Sequence, residues 1–100
     1  MEMSYQQTIK DIEDTFGIVP EFVKNMPQDV VGQMWPLLKK YGLGDSIIPK
    51  KYREMMALAA AAAMKCPYCQ TFHREGAKMY GASEEELNEL AAIVAQTSFW

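Results

Sequence analysis

Residues Ala59 to Ala63 are five consecutive alanines, and they lie inside a longer apolar stretch that runs from Met55 to Met64. Alanine has the highest helix propensity of any residue and the smallest side chain above glycine. The stretch therefore predicts a helix that a second helix can approach closely. No segment of the chain reads well as a strand, so helix packed on helix is the expected architecture throughout. The apolar stretch is far shorter than the roughly twenty residues a membrane-spanning helix needs.

Prolines and glycines punctuate the rest of the sequence. Tyr5, Ile9, Ile12 and Phe16 recur at helical spacing, with Ser4 as N-cap and Gly17 as the stop. Pro20 suits the first turn of a short helix ending near Met26, and Pro27 the start of the next. Val30, Val31, Met34, Leu38 and Tyr41 would line one face of that helix up to Gly42, with a kink or split at Pro36. Pro49 opens a long helix with Tyr52, Met55, Met56, Ala59 and Ala63 on its inner face, ending around Lys65. Pro67 begins another that runs to Tyr80, with Gly81 at its cap. Ser83-Glu84-Glu85-Glu86 is a capping box for a last helix carrying Leu87, Leu90, Ala91 and Val94. The expectation is an all-α, compact antiparallel helical domain of about five to six helices, a single domain over residues 1–100.

With 49% apolar and 23% charged residues, the chain is neither disordered nor membrane-embedded. Its net charge is -3 and its ten Lys and Arg are scattered, which argues against nucleic acid or an anionic membrane as partner. The first residues lack a basic start followed by an apolar run, so no signal peptide is expected and the cytoplasm is the default location. The eight methionines are dispersed, as core filler would be.

The chemistry concentrates in Lys65-Cys66-Pro67-Tyr68-Cys69-Gln70-Thr71-Phe72-His73, which holds both cysteines and the one histidine. Pro67 suits the first helical position, placing Cys66 at or next to the N-cap and Cys69 in the first turn. Both sulfurs would then feel unpaired backbone N–H groups and the positive end of the helix dipole, which favour thiolate. His73 lies four residues beyond Cys69 on the same helix face, where an imidazole can take or return a thiol proton. Two cysteines can also be buried apolar residues, or zinc ligands with His73 and Glu54. A structural zinc site, however, usually draws on a second separated pair of ligands, and the sequence has none. Haem attachment would need histidine where Gln70 stands, and a thioredoxin motif would follow a strand, not an alanine-rich helix.

Glu54, the alanine-rich helix, Cys66-Pro67-Tyr68-Cys69 and His73 together resemble the carboxymuconolactone decarboxylase superfamily, in particular its AhpD-like alkylhydroperoxidase branch. The resemblance covers roughly residues 16 to 97, including Val19-Pro20-Glu21 and the Gly81-Ala82-Ser83 turn. It implies an all-helical fold and a cysteine-dependent peroxidase or disulfide-reductase cycle that needs no flavin, haem or metal. By the same resemblance Cys69 attacks peroxide, Cys66 resolves the sulfenic acid to a disulfide, and Glu54 and His73 relay protons through water. The implied partners are a small peroxide and a dithiol electron donor of the lipoyl or a related type. Tyr68 stands where some members of the branch have histidine. The decarboxylase branch generally lacks the cysteine pair, so decarboxylation is not the expected reaction. On its own, a helical glutamate such as Glu54 is as readily a solvated surface residue, although Leu58 and Ala61 follow it on one face.

A second function class remains open at this level: a redox sensor or zinc-holding oligomer that uses the same cysteines without turnover. Either way self-association is expected. Leu87, Leu90, Ala91, Ala92, Ile93, Val94, Ala95, Phe99 and Trp100 occupy more than one face of the last helix, and a small chain cannot cover all of them. The resemblance implies a homotrimer or homohexamer.

Overall fold

The computed structural model describes residues 3–99, so Met1, Glu2 and Trp100, the last of them part of the expected apolar C-terminal face, lie outside the described residues. All regular structure among the described residues is helical. In chain order it comprises α1 (Tyr5–Phe16), α2 (Glu21–Lys24), α3 (Gln28–Leu38), a π-helical turn (Lys39–Leu43), α4 (Lys50–Ala63), α5 (Pro67–Met79) and α6 (Glu84–Phe99). No helix of the described chain is long and apolar enough to cross a membrane.

The boundaries follow local chemistry. Ser4 and Gln7 close a reciprocal capping box on α1, and Gly17 ends it with a left-handed φ of 83°. Pro20, Pro27 and Pro49 each stand immediately before a helix, as N-caps rather than as first-turn residues. Ser83 and Glu86 close the second box at 3.1 and 2.9 Å. Pro36 does not split α3. A proline removes one donor and leaves the flanking turns bonded, so the helix runs on to Leu38 and then widens, with Gly44 N–H donating to the Lys39 carbonyl.

The chain forms two compact units, one ending at Gly44 and the other beginning at Asp45. In the first, Ile12, Val31 and Trp35 are buried, with Tyr5, Ile9 and Phe16 packed against them. The expected inner face of α3 is thereby rotated: Val30, Met34, Leu38 and Tyr41 are exposed, and Val31 and Trp35 point inward. The cause is the indole. Its Nε1–H donates to Asp11 Oδ2 at 2.8 Å, Phe16 stands edge-on to it at 5.5 Å, and Lys39 Nζ donates to the same Asp11 oxygen at 2.8 Å.

In the second unit the core is Leu58, Ala77, Ala82, Leu87 and Leu90, with Met55, Ala59 and Val94 packed on it. The inner face of α4 also differs from expectation: Glu54, Leu58 and Ala61 are buried, whereas Tyr52 and Met56 are exposed. Helices α4, α5 and α6 are tied at the start of α6, where Lys51 meets Glu86 at 2.9 Å and Lys78 meets Glu84 at 3.2 Å. The Lys78 ammonium and the Ser83 N–H, respectively, hold the Glu84 and Glu86 carboxyls below the ordinary range.

Asp11 provides a test of the first unit. The hydrogen bond from Lys39, followed by that from Trp35, holds its carboxyl below the ordinary value. A carboxyl with a depressed folded-state pKa adds stability above its unfolded value of about 4, and that stability is lost as pH falls through the lower folded value. Asp11→Ala should lower the melting temperature at neutral pH and flatten the loss of stability below about pH 4. Trp35 fluorescence in a Trp100→Phe background reports both. An acid transition unchanged by the substitution would show that Asp11 is not a stabilising contact.

Candidate functional site

The junction between α4 and α5 is a fused pair of caps. Lys65 N–H donates to the Ala62 carbonyl at 3.1 Å and Cys66 N–H to the Ala61 carbonyl at 3.0 Å, which closes the end of α4. Lys65 makes this turn with φ 57°, the one positive φ outside glycine among the described residues. Cys66 is at once the last residue of that turn and the N-cap of α5, with Pro67 at the first helical position. Its Sγ accepts the Cys69 N–H at 3.3 Å. The expected placement of both cysteines at a helix start is thus observed.

The two Cα atoms are 5.3 Å apart and the sulfurs are joined as a disulfide. That separation lies within the usual range for a bridge, so oxidation and reduction need little movement of the backbone. A capping sulfur that receives an N–H at the positive end of a helix is also stabilised as thiolate once reduced.

The second pair lies across the helices. Glu54, near the start of α4, reaches His73 in α5, and Glu54 Oε2 is 2.8 Å from His73 Nδ1. The helices join at residues 64–66 and meet again at Glu54 and His73, so they run antiparallel. The Glu54 side chain is 6% exposed and that of His73 27%, so one end of the pair is sealed and the other open to solvent. A carboxylate at Nδ1 favours the tautomer with its proton on Nδ1, which turns Nε2 outward as the acceptor of a neutral imidazole. The Phe72 ring stands edge-on to the imidazole at 5.2 Å. The structure therefore joins Cys66 to Cys69 and Glu54 to His73, with Cys69 and His73 one helical turn apart on α5. Among the described residues no three His, Cys, Asp or Glu side chains are grouped to hold a metal ion.

The sequence model of the carboxymuconolactone decarboxylase family matches residues 30–100. The chain belongs to this family. Among solved structures, the alkylhydroperoxidase AhpD core from Rhodospirillum rubrum superposes with a TM-score of 0.75 at 23% identity, covering 94% of this chain and 72% of that one. The fold is therefore AhpD-like. A curated relative, "Uncharacterized protein 4 in cox locus" of Paracoccus denitrificans, is 30% identical over 59 residues, which is 59% of this chain and 53% of the relative. The match thus spans about half the length of that relative.

Two features of the site escape the sequence reading of this family member. Lys65 occupies a position that glycine usually fills, and its side chain gives no hint of the left-handed turn. Gly76 is the other. A β-carbon built there would stand 2.6 Å from Glu54 Oε2 and 2.7 Å from Glu54 Cδ. An isolated glycine inside a helical pattern was the available signal, since it weakens the helix by about 1 kcal/mol relative to alanine and so points to a packing reason.

The left-handed turn yields a prediction. Lys65→Gly should raise stability by roughly 1 kcal/mol by removing the steric penalty at positive φ, and Lys65→Val should lower it by at least as much. The urea midpoints of the reduced protein measure both changes. A lower midpoint for the glycine variant would show that the lysine side chain contributes more than its backbone conformation costs.

Proposed function

We propose that this protein is a thiol-dependent peroxidase or disulfide reductase that cycles Cys66 and Cys69 between dithiol and disulfide, with Glu54 and His73 as proton relay. The observation that carries the reading is the 2.8 Å His73–Glu54 bond, one helical turn along α5 from the cysteine pair. A redox sensor needs reactive thiols but not a two-residue proton relay. Family membership and the AhpD-like fold support the same reading.

In the proposed cycle the relay takes the Cys69 proton through His73 Nε2, by way of water, while Glu54 stabilises the imidazolium that results. The Cys69 thiolate attacks the terminal oxygen of a small peroxide ROOH. The O–O bond breaks, ROH leaves with the proton from His73, and Cys69 becomes a sulfenic acid. Cys66, as thiolate, attacks that sulfur; water leaves with one further proton and the disulfide closes. A dithiol carrier of the lipoyl or a related type then reduces the disulfide by exchange, returning two thiols and leaving as its own disulfide. The net reaction consumes ROOH and one dithiol and yields ROH, water and one disulfide. No flavin, haem or metal enters the cycle. The working location is the cytoplasm, where reduced carriers are available, with neither nucleic acid nor membrane as partner. The whole of residues 1–100 acts as one AhpD-like domain, a reading supported by the superposition over 94% of the chain.

Variants of the reduced protein test these roles. Cys69→Ser should abolish peroxide reduction, and Cys66→Ser should stop after one equivalent with a dimedone-reactive sulfenic acid on Cys69, located by mass spectrometry. Sulfenic acid on Cys66 in Cys69→Ser, with none on Cys69 in the converse variant, would exchange the roles. Glu54→Gln and His73→Gln should each slow Cys69 alkylation at neutral pH by on the order of 10²-fold, with the defect shrinking above about pH 9, where hydroxide suffices. A defect of constant size across pH would assign the two residues to structure.

Self-association into a homotrimer or homohexamer belongs to the same reading. Leu87 and Leu90 of α6 are buried within the chain, yet Ile93 is 56% and Phe99 81% exposed on the same helix. A symmetric contact would cover that apolar surface. Light scattering at micromolar concentration should give the mass of three or six chains, and a stable monomer would refute the assembly.

A further inference from the structure

We infer that Gly76 is a positioning residue for the Glu54–His73 pair, and that the missing side chain at position 76 is the seat of the Glu54 carboxylate. Gly76 lies inside α5 and its φ is not positive, so no unusual backbone conformation calls for glycine there. What calls for it is space. A β-carbon would stand 2.6 Å from Oε2, 2.7 Å from Cδ and 3.2 Å from Cγ of Glu54. Gly32, the comparable glycine inside α3, would meet nothing within 4 Å. The crowding is therefore specific to the face of α5 that meets α4.

The end of a glutamate side chain usually yields to such a contact, but this one has little freedom to do so. Glu54 is buried between packed helices, and the atom nearest the added carbon, Oε2, is the atom that His73 Nδ1 bonds at 2.8 Å. Any shift that relieves the clash draws Oε2 out of its place at the imidazole. Alanine would strengthen α5 as a helix, and glycine stands there at the expense of helix propensity. The bond between Glu54 and His73 is what the chain keeps in exchange.

The spectroscopic part of this inference is independent of the proposed catalysis, and its kinetic part rests on the relay reading, so the two are measured separately in the reduced 100-residue chain. His73 is the only histidine, so long-range proton–nitrogen NMR spectra show a single imidazole. Gly76→Ala should shift the Nδ1 resonance of His73 to the position seen in Glu54→Ala. In the Glu54→Ala/Gly76→Ala double variant the added methyl meets no carboxylate, so its spectrum should equal that of Glu54→Ala and its melting temperature should be no lower. On the kinetic side, Gly76→Ala should slow Cys69 alkylation by iodoacetamide at neutral pH as much as Glu54→Ala does, and the double variant should be no slower than either. A wild-type His73 spectrum in Gly76→Ala would overturn the inference. If Gly76→Ala fails to fold, the double variant decides. A folded double variant identifies Glu54 as the group crowded and supports the inference, and an unfolded one overturns it. Spectra as expected, with alkylation unchanged in both Glu54→Ala and Gly76→Ala, would uphold the role of Gly76 and refute the relay.

Discussion

The Glu54 carboxylate lies between two helices, almost out of reach of water, and its partner is the imidazole of His73. Burying a carboxyl group without a partner costs more than a single apolar contact returns, and the bond to His73 offsets that cost where α4 packs on α5. It also dictates what surrounds it. The helices must come close, which the small residues Ala61, Gly76 and Ala77 allow, and the axial register must bring the start of α4 opposite the latter half of α5. The fused turn at Lys65 and Cys66 sets that register from the other end. Neither device suffices alone: the turn fixes where the two helices join, and the buried pair fixes which faces they present.

The same geometry separates two kinds of group on α5. The cysteines sit at its first turn, where the helix end supplies donors to sulfur. His73 sits a turn further along, where the neighbouring helix supplies a carboxylate to one ring nitrogen and leaves the other free. The hydrogen bond to sulfur thus comes from the terminus of one helix and the orientation of the imidazole from the side of another. The arrangement is economical for a chain of this size, because the elements that form the core of the second unit also carry the candidate site.

Much of this was legible in the residues. Ser4, Gly17, Ser83 and Glu86 announced helix ends because capping is a contact between neighbours in sequence, and the structure closes those caps as expected. Cys66 at the N-cap and Cys69 in the first turn followed from Pro67 for the same reason. Faces were harder. In α4 the alanine run is small and apolar on every side, so periodicity could not choose between Tyr52 with Met56 and Glu54 with Leu58 as the inward set. In α3 the indole of Trp35 turned the helix toward Asp11, a partner far away in sequence.

The sequence by itself determined where helices begin and end, that two thiols stand at a helix start, and that an imidazole follows one turn later, since all of these depend on contacts within a few residues. Tertiary structure alone decided that Glu54 points inward, that it meets Nδ1 of His73, that Gly76 leaves room for its carboxylate, and that Trp35 replaces Met34 in the first core. The reason is physical. A cap or a helix-start thiol is fixed by backbone groups that any helix of that length provides, whereas a buried carboxylate is fixed by the register between two surfaces, a quantity no single segment contains.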